Sequence, residues 1–272
     1  AASWEKAKLG FGAENTAVQI AGRESHWMTE AARMAEANGA KMIDINMGCP
    51  AKKVVNGYSG SALLRDLSHA MTLIEAVVGT VNVPVSLKTR LGWDENTLNA
   101  AQLAKMAEDS GIVMITIHGR TRCQFYKGKA DWAAIRDIKQ AVSIPVIANG
   151  DIIDATTAQQ ALDQSKADGV MIGRGAQGRP WALAEVAHKV FNTTRVQRPF
   201  GGDFEEMVGG HYEAMLDFYG PRFGMRVARK HLSWYMDVAM TPIDVRRLVL
   251  TSQSTKDVLS LLHLAFSKDL AV

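Results

Sequence analysis

The chain lacks most of what a membrane, secreted or zinc-binding protein needs. No apolar run approaches the roughly 18 residues that span a bilayer, and neither a signal peptide nor a transit sequence opens it. Its two cysteines, Cys49 and Cys123, stand far apart and form no CxxC pair. That argues against a zinc site or a disulfide framework and for a reducing cytoplasm; no metal is expected. No GxGxxG follows an apolar run, which weighs against an open dinucleotide-binding sheet. There is no low-complexity tract, and a net charge of +3 over 272 residues decides nothing by itself. What is present is ordinary globular material, 47% hydrophobic and 22% charged, enough for a sizeable core.

The order of the chain is an alternation. Strand-like apolar runs fall at 16–22, 42–46, 83–88, 113–118, 145–149 and 169–173. Their near-continuous apolar character predicts a parallel sheet covered on both faces. Between them lie amphipathic helical runs, at 25–38, 61–78, 95–110, 132–141, 155–165 and 181–191. In the first of these, Ser25 is the expected cap, Trp27, Ala31, Met34 and Ala35 the expected buried face, and Gly39 the stop. Strand–helix alternation at this period predicts a (β/α)8 barrel. Six strands are visible, and the two further strands that closure requires are expected on the N-terminal side. After Gln197 the pattern changes: Arg198–Gly202 reads as a linker, and only helices follow. The expected division is a catalytic barrel domain at 1–197 and a small all-helical domain at 198–272.

Chemistry in such barrels sits where strands end. Those ends carry Gln19, then Asn46 and Cys49, then Lys88 and Arg90, then His118 and Arg120, then Asn149, Gly150 and Asp151, and last Gly173 and Arg174. A lone cysteine is ordinarily a small buried hydrophobe, and a lysine or histidine in a strand has bland explanations too. A polar or glycine signature at every end is harder to assign to packing alone. The last two ends bring glycines to helix starts, the form of an anion site.

Asn46-Met-Gly-Cys-Pro50, Gly60-Ser-Ala-Leu-Leu64, Lys88-Thr-Arg90, His118-Gly-Arg-Thr121, Asn149-Gly-Asp151 and Gly173-Arg174 resemble, in order and spacing, the motifs of the tRNA-dihydrouridine synthases, bacterial B-type branch. The tail segment Arg229-Lys-His-Leu-Ser-Trp-Tyr235 is also similar. The family's opening Ala-Pro-Met-Ala-Gly-like strand has no counterpart here. The resemblance implies an FMN enzyme that uses NADPH to reduce a D-loop uridine of tRNA to 5,6-dihydrouridine. It makes Cys49 the acid that protonates C5 after hydride reaches C6, and Asn46, Arg90 and His118 the residues that hold the base. It sets Gln19, Lys88 and His118 against the flavin, and Asn149, Gly150, Asp151, Gly173 and Arg174 around its phosphate. The chemistry is consistent with that assignment. Hydride addition to a uracil builds enolate character, which calls for a nearby cation and a proton donor. A thiol of ordinary pKa, near 8.5, is mostly protonated at pH 7.

A basic surface is expected around the same mouth, from Lys52, Lys53, Arg120 and Arg122. A second is expected in the tail, where Arg222, Arg226, Arg229 and Lys230 share one helix face and form a phosphate track for tRNA. The partners expected are tRNA and NADPH, with no membrane and a monomeric chain. Two alternatives stand beside this reading: an FMN barrel dehydrogenase acting on a free pyrimidine, and a flavin-less RNA-binding module. The basic tail speaks against the first of these, and a yellow colour in the purified protein would speak against the second.

Overall fold

The computed structural model describes residues 16–266. The chain divides into two compact units, Ala1–Ile152 with Thr156–Ile172, and Ile153–Ala155 with Gly173–Val272. The division by packing therefore falls earlier than the change of composition at 197–198.

The first unit is a parallel sheet of six strands: β1 (Ala17–Ile20), β2 (Met42–Asn46), β3 (Val85–Arg90), β4 (Met114–His118), β5 (Val146–Asn149) and β6 (Gly169–Met171). They lie in chain order, each paired with the next. Strand order in a doubly wound sheet reverses at a switch point; a monotonic order is that of a βα barrel. Among the described residues β1 and β6 each pair on one side only. The crossovers carry helices α1 (Ser25–Ala37), α2 (Lys52–Val55), α3 (Leu67–Val78), α4 (Ala100–Asp109), α5 (Ile135–Ala141) and α6 (Ala155–Ser165).

The strands are less uniform than their composition suggested. Ile43, Ile45, Val85, Leu87, Ile115, Ile117, Val146 and Ala148 are all buried. They alternate with a second row made of Asp44, Asn46, Ser86, Lys88, Arg90, Thr116, His118 and Asn149. Because successive side chains point to opposite faces, the apolar row meets one layer and the polar row lines the other face. Lateral register keeps that polar row together, pairing Gln19 with Asp44, Asp44 with Ser86, Asn46 with Lys88, Arg90 with His118 and His118 with Asn149.

The structure corrects several local expectations. The buried face of α1 is Met28, Ala32 and Ala35; of the expected face only Ala35 is buried, and Trp27 is 63% exposed. Ser25 does not cap α1; its hydroxyl donates to the carbonyl of Thr72. The run at 61–78 is broken into a 3-10 turn, Gly60–Arg65, and α3, because the Asp66 carboxylate accepts the His69 N–H at 3.0 Å and starts a new helix. Helices expected from 95 and 132 begin only at Ala100 and Ile135. The residues before Ala100 and Ile135 form loops; in the second, the Trp132 indole N–H donates to the Gly150 carbonyl at 2.8 Å.

From Gly173 on, the second unit carries the short 3-10 turn Arg174–Ala176, and its further elements among the described residues are helices: α7 (Ala182–Phe191), α8 (Gly201–Tyr219), α9 (Pro221–Val238), α10 (Ile243–Thr251) and α11 (Thr255–Phe266). Helix α8 takes up the last residues read as a linker. Phe204 is the centre of its core, ringed edge-on by Trp181 at 5.4 Å, Phe266 at 5.2 Å and Tyr235 at 6.0 Å. Val208, Tyr212, Leu232 and Met236 close around it. Helices α8 and α9 approach so nearly at Gly224 that a Cβ there would sit 2.5 Å from the Met215 carbonyl oxygen.

Candidate active site

At the end of β2 the chain turns through Gly48, Cys49 and Pro50. The turn is pinned by one side chain: Asn46 Oδ1 accepts the backbone N–H groups of Gly48 at 3.1 Å and Cys49 at 2.9 Å. On the far side, Ser61 donates both its N–H and its hydroxyl to the Cys49 carbonyl, at 3.1 and 2.9 Å. Cys49 itself is half-buried, so its thiol is neither sealed in the core nor fully open. Asn46 Nδ2 donates to Gln19 Oε1 at 2.8 Å, and Gln19 Nε2 donates to Asp44 Oδ2 at 2.6 Å. The Ser86 hydroxyl donates to the other Asp44 oxygen at 2.8 Å. Asp44 and Ser86 were not singled out from the sequence; the signal was a carboxylate two residues before Asn46, on the same strand face.

Next along the polar row stands Lys88, whose ammonium donates to Asn149 Oδ1 at 3.1 Å. Burial, and then Arg90, pull its pKa down to about 8, against the pull of Asp44. His118 is only 8% exposed, and burial followed by Arg90, Lys88 and Arg120 lowers its pKa to about 3. It is therefore a neutral imidazole at physiological pH, able to hydrogen-bond but carrying no charge. Asn149 also donates to the Met171 carbonyl at 2.8 Å, so its amide is oriented from two sides.

Two arginines turn out to be internal struts. Arg90, 1% exposed, donates to the carbonyls of Gly48 at 2.8 Å and of Thr121 and Phe125, both at 2.9 Å. It ties the Cys49 turn to the loop after β4, and its guanidinium lies 5.5 Å from the Tyr126 ring. These bonds run to the protein's own backbone, so Arg90 positions that turn. Arg120, expected on the basic surface, is 2% exposed. Its guanidinium grips both oxygens of Asp151, at 3.0 and 2.6 Å, and donates to the Lys127 and Gly128 carbonyls. It is removed from the surface set, because it is buried and its donors are bonded inside the fold. Asp151 correspondingly spends its carboxylate on Arg120 and on the Ala130 N–H at 2.8 Å. A contribution from Asp151 to an anion cradle would have to come from its backbone. Gly150, at φ +110°, allows the turn there; a Cβ would lie 2.9 Å from the His118 ring.

The other surface residues divide. Lys52 and Lys53 are exposed, in the one-turn helix α2 directly after the Cys49 turn. Arg122 packs its guanidinium 4.8 Å from the Trp93 ring, which Arg65 approaches to 4.9 Å. Cys123 is exposed, and its backbone N–H donates to the Trp93 carbonyl. In the second unit Gly173 and Arg174 are exposed at the head of the short 3-10 turn. Arg222, Arg226 and Arg229 line a groove of about 670 Å³ with Lys256 and the start of α11, and no carboxylate lines it. Lys230 is not among its lining residues; its ammonium lies 4.9 Å from the Trp234 ring. Lys256 belongs to another helix, so no single-helix periodicity could have found it.

A sequential parallel βα sheet, with a thiol, a cation, a neutral imidazole and oriented amides at its strand ends, defines an enzyme of the βα-barrel class. The family model described as Dihydrouridine synthase (Dus) matches residues 4–270. Curated relatives include a "Probable tRNA-dihydrouridine synthase" of Rhodobacter capsulatus, 55% identical over 253 residues, 93% of this chain and 78% of the relative. Another is "tRNA-dihydrouridine synthase B" of Xanthomonas axonopodis pv. citri, 49% identical over 232 residues, 85% of this chain and 70% of the relative. Among solved structures, morphinone reductase in complex with tetrahydroNAD aligns at a TM-score of 0.45 and 18% identity, over 66% of this chain and 51% of that one. The chain belongs to the dihydrouridine synthase family.

Proposed function

We propose that this enzyme reduces a uridine of tRNA to 5,6-dihydrouridine, with FMN as its cofactor and NADPH as the reductant. The observation that carries the reading is the Cys49 turn, pinned by Asn46 at the end of a strand whose polar face continues into Lys88, His118 and Asn149. Such a face suits a planar heterocycle rich in carbonyl and N–H groups, because its donors and acceptors are oriented before anything binds. Gln19, Lys88 and His118 would hold the ring of FMN, and Asn149, Gly150 and the Asp151 backbone would hold its phosphate. The chemistry FMN supplies when bound is hydride delivery to C6, with NADPH as the source of the hydride.

The remaining work falls to this chain. The Cys49 thiol gives its proton to C5. Lys88, with its pKa near 8, is mostly charged at pH 7 and offsets negative charge developing in the site. His118, being neutral, orients by hydrogen bonding without adding charge. Asn46 has committed its oxygen to the turn and one N–H to Gln19, which leaves its second N–H for a uracil carbonyl. The groove of Arg222, Arg226, Arg229 and Lys256 would take up tRNA phosphates, as would exposed Lys52 and Lys53. The uridine must leave its stack to reach a strand-end site.

The test is to reduce the protein anaerobically with NADPH and add unmodified tRNA. Flavin absorbance should return as dihydrouridine appears in the tRNA by mass spectrometry. Reoxidation by free uridine or uracil but not by tRNA would overturn the reading in favour of a free-pyrimidine dehydrogenase.

A further inference from the structure

The hydrogen bonds leading to the Cys49 turn have a direction. A carboxylate accepts and does not donate, whereas a primary amide does both and can turn over. Asp44 accepts from Gln19 Nε2 at 2.6 Å, which forces Gln19 to present Oε1 to its other neighbour. That neighbour is Asn46, which must then offer Nδ2, at 2.8 Å. With Nδ2 so used, Asn46 Oδ1 faces the N–H groups of Gly48 and Cys49, at 3.1 and 2.9 Å. Neither amide has a preferred sense of its own; the two are fixed from both ends, by the Asp44 carboxylate, which only accepts, and by the Gly48 and Cys49 N–H groups, which only donate. The Ser86 hydroxyl, donating at 2.8 Å, holds the other Asp44 oxygen. Strand register supplies the spacing, since Gln19, Asp44 and Ser86 lie opposite one another across β1, β2 and β3.

We propose that Asp44 is a positioning residue, which fixes the far end of this directed series, keeps the Gln19 and Asn46 amides in the one sense that lets Asn46 accept the Gly48 and Cys49 N–H groups, and thereby holds the backbone that carries the Cys49 thiol. Its place in catalysis rests on the reading of Cys49 as proton donor, but the polarity itself does not. In Asp44→Asn the new amide can present either its oxygen or its N–H to Gln19, so the series is no longer fixed at this end. In Asn46→Asp the Gln19 oxygen faces a carboxylate. Combining the two substitutions reverses the series with every bond satisfied. The amide introduced at position 44 donates to Gln19, and Gln19 donates to the carboxylate introduced at position 46. That carboxylate then accepts both backbone N–H groups.

The experiment measures melting temperature, hydrogen exchange at the Gly48 and Cys49 amides, and the rate of Cys49 alkylation, in the full chain and the three variants. Asn46→Asp sets two carboxylates against one Gln19 amide N–H and should lower the melting temperature by several degrees, with Asp44→Asn lowering it less. The double variant should recover most of the Asn46→Asp loss, with exchange at both amides within a few-fold of the parent. An Asn46→Asp variant as stable as the parent, or a double variant whose loss is the sum of the singles, would overturn the proposal, because a purely structural carboxylate predicts additivity. If Asp44→Asn is too unstable to isolate, melting temperature decides between Asn46→Asp and the double variant. A double variant that melts no higher overturns the proposal. A disturbed Cys49 turn with tRNA reduction at the parent rate would leave the positioning intact and count against Cys49 as proton donor instead, so the two failures are distinguishable.

Discussion

Basic side chains do opposite work in the two units. In the first, Arg90 and Arg120 are 1% and 2% exposed and spend their guanidinium groups on backbone carbonyls and on Asp151. In the second, Arg222, Arg226 and Lys256 stand open to solvent along a groove with no carboxylate in its lining. A charged group at a strand end is surrounded by loops whose carbonyls need donors, and burial makes it seek them. A charged group on an outer helix face keeps its water and remains available to a partner. Residue type is the same in both places; the surroundings decide whether the charge is architecture or interface.

The comparison can be broken at its most consequential point first. Cys49→Ala should lower dihydrouridine formation by roughly 10²–10⁴-fold, the usual worth of a positioned proton donor. Flavin content and NADPH oxidation should persist, and Cys123→Ala should change little. Dihydrouridine formed at the parent rate by Cys49→Ala would remove the thiol from the mechanism.

Stability should separate the two kinds of arginine. Arg120→Ala removes both guanidinium bonds to the Asp151 carboxylate and those to two carbonyls, a loss on the order of 3 kcal/mol. For a chain of this size that corresponds to a melting temperature lower by roughly 6–12 °C. Arg226→Ala should leave the melt where it is. Equal effects in calorimetry would erase the distinction between the units.

Affinity should separate them the other way. Arg226→Glu with Lys256→Glu should weaken tRNA binding about tenfold and flatten the dependence of log K on log salt by roughly 0.7–0.9 for each phosphate no longer neutralised. Flavin content should not change. A titration with unaltered slope would reduce the groove to a solvated face.

The smallest expected effect concerns pH. His118 has a folded pKa of about 3, well below the roughly 6.5 of an unfolded histidine. As pH falls, the unfolded chain takes up this proton first, so stability is lost between about pH 6.5 and 3. His118→Gln should therefore show a smaller fall in melting temperature between pH 7 and 5 than the parent. Lys88, with its pKa of about 8, carries the same linkage at the alkaline end. Burial disfavours its charged form, so its penalty on folding is relieved as pH rises from about 8 toward its ordinary range. A parent histidine seen by NMR to titrate near 6.5 at this position would contradict its neutrality in the fold.

By itself the sequence determined the alternation of strands and helices, the helical tail and the family. These follow from local rules: apolar period, turn residues, and motifs read in order. It also placed Cys49, Asn46, Lys88 and His118 at strand ends, since a strand's end is a local property. Tertiary structure alone decided which charges face inward. Arg120 and Arg226 are indistinguishable as letters, and only the Asp151 carboxylate, 31 residues on from Arg120, buries one of them. The same holds for Asp44, whose meaning comes from Gln19 on one neighbouring strand and Ser86 on the other. Lateral register across a parallel sheet joins residues tens of positions apart, and no pattern along the chain carries that information.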